Sequence, residues 1–280
     1  MNRTRTDLAL ESVEELGGKG ALSQLEGVSV AEFTRCGYGV THVRVEGAAA
    51  AQRLGKPVGR YITVDLRPYF RREEGFFSRA ASCVAAELTG LLAGRGEDWP
   101  VLVAGLGNRR MTADAVGPLA LESLLVTRHM VHALPRQFCG FTPVAALAPG
   151  VLAQTGMETA ELLRGAVDVT GARTVVVIDA LSARSRQRLC ATVQLGDTGL
   201  IPGSGVGNHR RAINRETLGV PVVAVGVPTV TAAEGPEGAL FLTPRDIDEK
   251  VGELGRVIGY AVTLALQEGL SVADITGLLG

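Results

Sequence analysis

The sequence predicts an α/β protein, a single domain with a central, mostly parallel sheet flanked by helices. Short β-branched runs alternate along the chain with amphipathic segments of helix length. The runs near Val101, Thr174 and Val222 are continuously apolar, as strands covered on both faces are, which places them in the middle of the sheet. Glycine is also abundant, 36 of 280 residues against a usual share near ~7 %, without a collagen-like period, so many loops have shapes set by the backbone.

In chain order, apolar residues at three- and four-residue spacing predict a first helix over Asp7 to Leu16, which Asp7 is suited to cap. Strands follow over His42 to Glu46 and Tyr61 to Leu66, then a helix over Phe77 to Ala93. The strand Val101 to Gly105 leads into helices over Ala115 to Val126 and Met157 to Val169. Strands over Thr174 to Asp179, Ala191 to Gln194 and Val222 to Val225 precede the longest helix, Arg245 to Gln267. Candidate breaks at 94–100 and 233–238 are short, and the alternation continues across the first, so one domain is expected.

A hydrophobic share of 46 % and a mean hydropathy of +0.21 supply a large core. Net charge is -1 and pI about 6.5, so no basic field points to nucleic acid or an anionic membrane. Lysine is confined to Lys19, Lys56 and Lys250, a bias of base composition rather than a phosphate-reading design. Cys36, Cys83, Cys139 and Cys190 form no CxxC pair and read as reduced, buried thiols of a cytoplasmic protein. The N-terminus has no apolar signal core, and the stretch Gly219 to Ala233 is interrupted by Pro221 and Pro228.

Two aspartates sit where a predicted strand runs into a tight turn. Asp114, in VLVAGLGNRRMTADAVGP, precedes a helix, so capping and acid/base chemistry both fit it. Asp179, in TVVVIDALSAR, ends a buried-looking strand, where open α/β sheets gather ligands; the alternative is a turn carboxylate held by Arg184 or Arg186. The GLGN turn at 105–108 lacks the third glycine of a dinucleotide fingerprint, since position 110 is Arg110, and no cofactor is expected. Asp197-Thr198-Gly199 has the letters of an aspartic-protease triplet in a single copy and reads as a turn. The loop Ile201 to Asn208 exposes backbone amides suited to a peptide, an oxyanion or a phosphate, without a P-loop ending. Ser204 within it lacks a nucleophile elbow, and His42, His129, His132 and His209 form no metal motif, so no metal is expected.

The ordered set RTDLALE, GRYITVDLR, GLGNRRMTADAVGPLALESLLVTRH, LAPGVLAQTGMET, IDALSAR, DTGLIPGSGVGN and LGVPVVAVGVPTV resembles the spore germination protease family. The likeness runs from Arg5 to Val230 and resumes at Leu242 to Ile247. It implies an α/β protease similar in core fold to the hydrogenase maturation proteases, acting on small acid-soluble spore proteins in the cytoplasm of the forespore or spore. Asp114 and Asp179 match the family's proposed catalytic pair, which implies an atypical aspartic endopeptidase in which one carboxylate takes a proton from water while the other, protonated, polarises the carbonyl. The amides of Gly203, Ser204, Gly205, Gly207 and Asn208 are expected to stabilise the tetrahedral intermediate.

The resemblance further implies a zymogen that removes residues 1–7 by cutting between Asp7 and Leu8, leaving 8–280 as the protease, and a homotetramer. From Ala232 to Leu240 the chain is shorter than longer family members. Two rivals remain at this point: a nickel-dependent maturation-type protease, and a homologue that binds spore proteins without cutting them.

Overall fold

A computed structural model describes residues 6–16, 26–94, 99–207, 210–235 and 238–280. The first half carries α1 (Ala9–Glu15), β1 (Val28–Arg35), β2 (Tyr38–Val45), α2 (Ala48–Leu54), β3 (Gly59–Asp65), α3 (Phe76–Leu91), β4 (Val101–Gly105), α4 (Val116–Leu121), α5 (Arg128–Ala133) and β5 (Val144–Leu147). The second half carries α6 (Leu152–Thr155), α7 (Thr159–Thr170), β6 (Thr174–Ser182), β7 (Thr192–Gly196), α8 (Arg215–Leu218), β8 (Val222–Gly235), β9 (Gly238–Leu242), α9 (Ile247–Leu266) and α10 (Val272–Leu279). The strands join one sheet in the order β1-β2-β3-β7-β8-β6-β4-β5, with β9 paired to β8.

The α/β class and the central sheet flanked by helices are as expected, and the sheet is mixed. Its parallel part is β5, β4, β6 and β8, whereas β1, β2, β3 and β7 pair antiparallel. Beta-branched runs build the parallel part because both of its faces are covered. Val103, Val176, Ile178 and Val225 pack toward α3 and α9 through residues such as Leu88, Val257 and Ile258. On the other face Leu102, Ala104, Val175 and Val177 meet Leu163 and Val167 of α7 and Leu218 of α8. Each such side chain contributes about 1.5–3 kcal/mol on burial.

Departures from expectation have local causes. The helix expected over Ala115 to Val126 stops at Leu121. Beyond it the Leu125 amide donates to Thr263 Oγ1 of α9 at 3.1 Å. Strand β1 has no sequence signature, because all but its first residues are largely exposed and leave no buried alternation. The strand expected over Val222 to Val225 runs on to Gly235 and folds back on β9, with Gly235 opposite Gly238.

Candidate active site

Adjacent parallel strands bring the two aspartates together. Gly105 of β4 lies opposite Ile178 of β6, and the Leu106 amide extends the pairing by donating to the Ile178 carbonyl at 2.8 Å. Past Leu106 the chain turns through Gly107, whose φ of +108° is one that L side chains rarely adopt. That turn aims the Asn108 amide at Asp114 Oδ2, 2.8 Å away. Asp114 closes a short 3-10 turn, Thr112–Asp114, which Thr229 secures by donating its hydroxyl to the Ala113 carbonyl at 2.6 Å. Ala115, not Asp114, occupies the cap position of α4, so the Asp114 carboxylate serves no helix cap.

Asp179 lies within β6, which continues past it to Ser182 with a register irregularity at Leu181 and Ser182. Its side chain is 6 % exposed, and its Oδ1 accepts the Ala180 amide at 2.9 Å. Arg184, considered as a holder of this carboxylate, reaches Glu15 instead at 2.8 Å. Burial pushes the Asp179 carboxyl well above the ordinary carboxylate value, the charge of Asp114 pushes it further, the Ala180 amide opposes this, and Asp7 adds a smaller rise. Asp114 is raised too, chiefly by burial, with the Asn108 amide opposing. The pair therefore offers two unequal carboxyls, the deeper of which holds its proton more firmly.

Both aspartates line one cleft of about 430 Å³, bordered also by Asn108, Thr229, Glu158 and Arg210. Asp7 enters the same cleft from the N-terminal segment. Its amide donates to the Ser182 carbonyl at 3.0 Å, its Oδ2 accepts the Ser182 amide at 2.8 Å, and its Oδ1 accepts the Ser204 hydroxyl at 2.7 Å. Leu8 is fully buried against Leu181, Ala183 and Leu189. Asp7, on one side of the expected cut, thus lines the cleft of the two aspartates, while residues 1–5 lie outside the described residues.

The glycine-rich loop meets the N-terminal segment through a side chain and a close approach. Gly203 and Gly207 flank a 3-10 turn over Ser204–Val206 with φ of +70° and +81°. The Ser204 amide donates to the Ile201 carbonyl and the Gly207 amide to the Ser204 carbonyl, both at 3.2 Å. It is the Ser204 hydroxyl and the close approach of Gly205 that meet Asp7. Asn208 lies outside the described residues.

Asp197 holds Arg60 through its backbone amide and Nε at 2.8 and 2.7 Å, a local clamp at the bend after β7. His129 and His132 are exposed on α5, and among the described residues no three His, Cys, Asp or Glu side chains converge as metal ligands. Cys83 and Cys190 are buried as expected, but Cys36 and Cys139 are exposed. Glu158 and Thr229 lie within segments that carry the family resemblance and Arg210 outside them, but nothing local in the sequence marks any of the three as a site residue.

The family model for germination proteases matches residues 5–238. Among curated relatives, the germination protease of Clostridium perfringens (strain ATCC 13124) is 35 % identical, with all of both chains covered. That of Caldanaerobacter subterraneus is 36 % identical over 98 % of each chain. That of Geobacillus sp. (strain WCH70) is 41 % identical over 91 % of this chain and 69 % of its own. Among the described residues no helix is long and apolar enough to cross a membrane. With a matched family model spanning most of its length and relatives aligned end to end, the chain belongs to the germination protease family, a family of peptidases.

Proposed function

We propose that the chain is an aspartic endopeptidase of spore germination, formed as a self-processing zymogen, with small acid-soluble spore proteins as its substrates. The observation that carries the reading is the shared cleft: Asp114, Asp179 and the Asp7 side chain all line it. Asp114, less buried and bonded to a backbone amide, is the carboxylate that takes a proton from water. Asp179, deeply buried beside a like charge, keeps its proton near neutral pH and gives it to the carbonyl oxygen of the peptide. The water oxygen bonds to the carbonyl carbon, forming a tetrahedral diol. Collapse breaks the C–N bond as one diol hydroxyl returns its proton to Asp179, re-forming the carbonyl of a carboxylic acid, and the proton held by Asp114 passes to the leaving nitrogen.

Residues 1–7 are the propeptide in this reading, residues 8–280 the protease, and the working form a homotetramer in the cytoplasm of the spore. Intact-mass analysis of the purified chain tests the precursor: loss of Met1 to Asp7, with Leu8 as the new N-terminus, is expected in the parent and absent in Asp114→Asn and Asp179→Asn. A parent mass unchanged under all conditions, or processing retained in both variants, overturns the self-cutting dyad. Light scattering on the eluting species checks the tetramer.

A further inference from the structure

The peptide bond between Asp7 and Leu8 is held on its carbonyl side by two donors that no motif marks. Lys56 Nζ lies 2.8 Å from the Asp7 carbonyl oxygen and 3.1 Å from that of Thr6. Gln194 Nε2 donates to the same Asp7 oxygen at 3.0 Å, while its Oε1 accepts the Ala9 amide at 2.7 Å. A cation and an amide N–H aimed at one carbonyl oxygen are what a developing oxyanion requires. The Asp7 side chain occupies its own cradle, accepting the Ser204 hydroxyl and the Ser182 amide on separate oxygens. Gly205 makes room for it, since a Cβ there would stand 2.3 Å from Asp7 Oδ2.

We propose that this cradle is the substrate pocket for the residue preceding the cut. Lys56 and Gln194 polarise its carbonyl and bear the partial charge on that oxygen until the Asp179 proton reaches it, and Ser204 with the Ser182 amide reads its carboxylate. The inference rests on the endopeptidase reading and deepens it, with the N-terminal segment as the first substrate the cradle meets. It moves oxyanion stabilisation from the amides of the glycine-rich loop, two of which are engaged within their own turn, to side chains of the loop after α2 and of β7. Burial holds the Lys56 ammonium below the ordinary lysine value, with the carboxylates of Asp7 and Glu11 opposing this.

The test follows self-processing of the full chain by intact mass, as a rate, in the parent, Asp7→Asn, Ser204→Ala and the double variant. A hydrogen bond to a charged group is worth roughly tenfold or more, so each single change slows processing about tenfold. Because both changes remove one interaction, the double variant is also about tenfold slower instead of about a hundredfold. Lys56→Met and Gln194→Leu slow processing by about a hundredfold, whether residue 7 is Asp or Asn. Urea unfolding of each variant separates lost catalysis from lost structure, and the two carbonyl-side variants give independent readings if one folds poorly. A parent that never processes itself overturns the endopeptidase reading together with the cradle. A parent that does, with Ser204→Ala and Asp7→Asn multiplying, or with Lys56→Met and Gln194→Leu at the parental rate, overturns the cradle alone.

Discussion

Replacing Gly107 by alanine tests how closely the turn after β4 governs Asp114. A Cβ built on Gly107 stands 2.0 Å from the Asp114 carbonyl oxygen and 3.0 Å from its Oδ1. Reaching an ordinary contact of 3.4 Å demands a displacement of about 1.4 Å, and it falls on the backbone that carries the carboxylate. Shifts of about 1 Å in a reacting group cost about a hundredfold in rate, and the clash with the positive φ costs about 2–3 kcal/mol of stability. Gly140→Ala is the control: its φ of +87° imposes backbone strain, but nothing lies within 4 Å of the added methyl. Urea unfolding and cleavage of a peptide spanning residues 4–11 are measured on both. Gly107→Ala should lose stability and about two orders of magnitude in kcat, whereas Gly140→Ala loses about 1–2 kcal/mol of stability and keeps its kcat. Parental kcat in Gly107→Ala refutes the claim that this turn sets the position of Asp114.

Three further expectations follow from the same geometry. Asp179 has a folded-state value raised above its unfolded one, so its contribution to stability is complete below the unfolded value near ~3.9 and is lost as pH rises through the folded value. Asp179→Asn should therefore be more stable than the parent toward neutral pH, with the difference vanishing in acid; urea midpoints across pH check the sign. Thr263→Val removes the hydroxyl that accepts the buried Leu125 amide and donates to the Gly259 carbonyl at 2.9 Å, and should cost about 1–3 kcal/mol without changing kcat. Burial pushes the Cys83 and Cys190 thiols up to about 12, so a thiol-reactive dye should label Cys36 and Cys139 in the native protein and all four only on unfolding.

What the sequence revealed and what it hid divide along physical lines. Strands β4 and β6 were legible because continuous apolar runs are needed where both faces are covered, and the two aspartates were legible because they follow those runs. Strand β1 was hidden because its residues face solvent. The early end of α4 was hidden because the Leu125 amide, beyond that end, goes to a hydroxyl on α9, a contact across 138 residues. Gln194 meets Asp7 across 187 residues, beyond the reach of any local periodicity. Lys56 left one faint sign, as one of only three lysines in a chain whose other cations are arginines. The antiparallel half of the sheet was hidden because strand direction depends on connections that composition does not encode.

Cleavage of small acid-soluble spore protein by the purified chain, beside Asp114→Asn and Asp179→Asn, tests the aspartate pair most directly. Fragments ending in an acidic residue, formed by the parent and reduced by several orders of magnitude in both variants, are the predicted result. Intact substrate with the parent, or equal cleavage by either variant, contradicts the account.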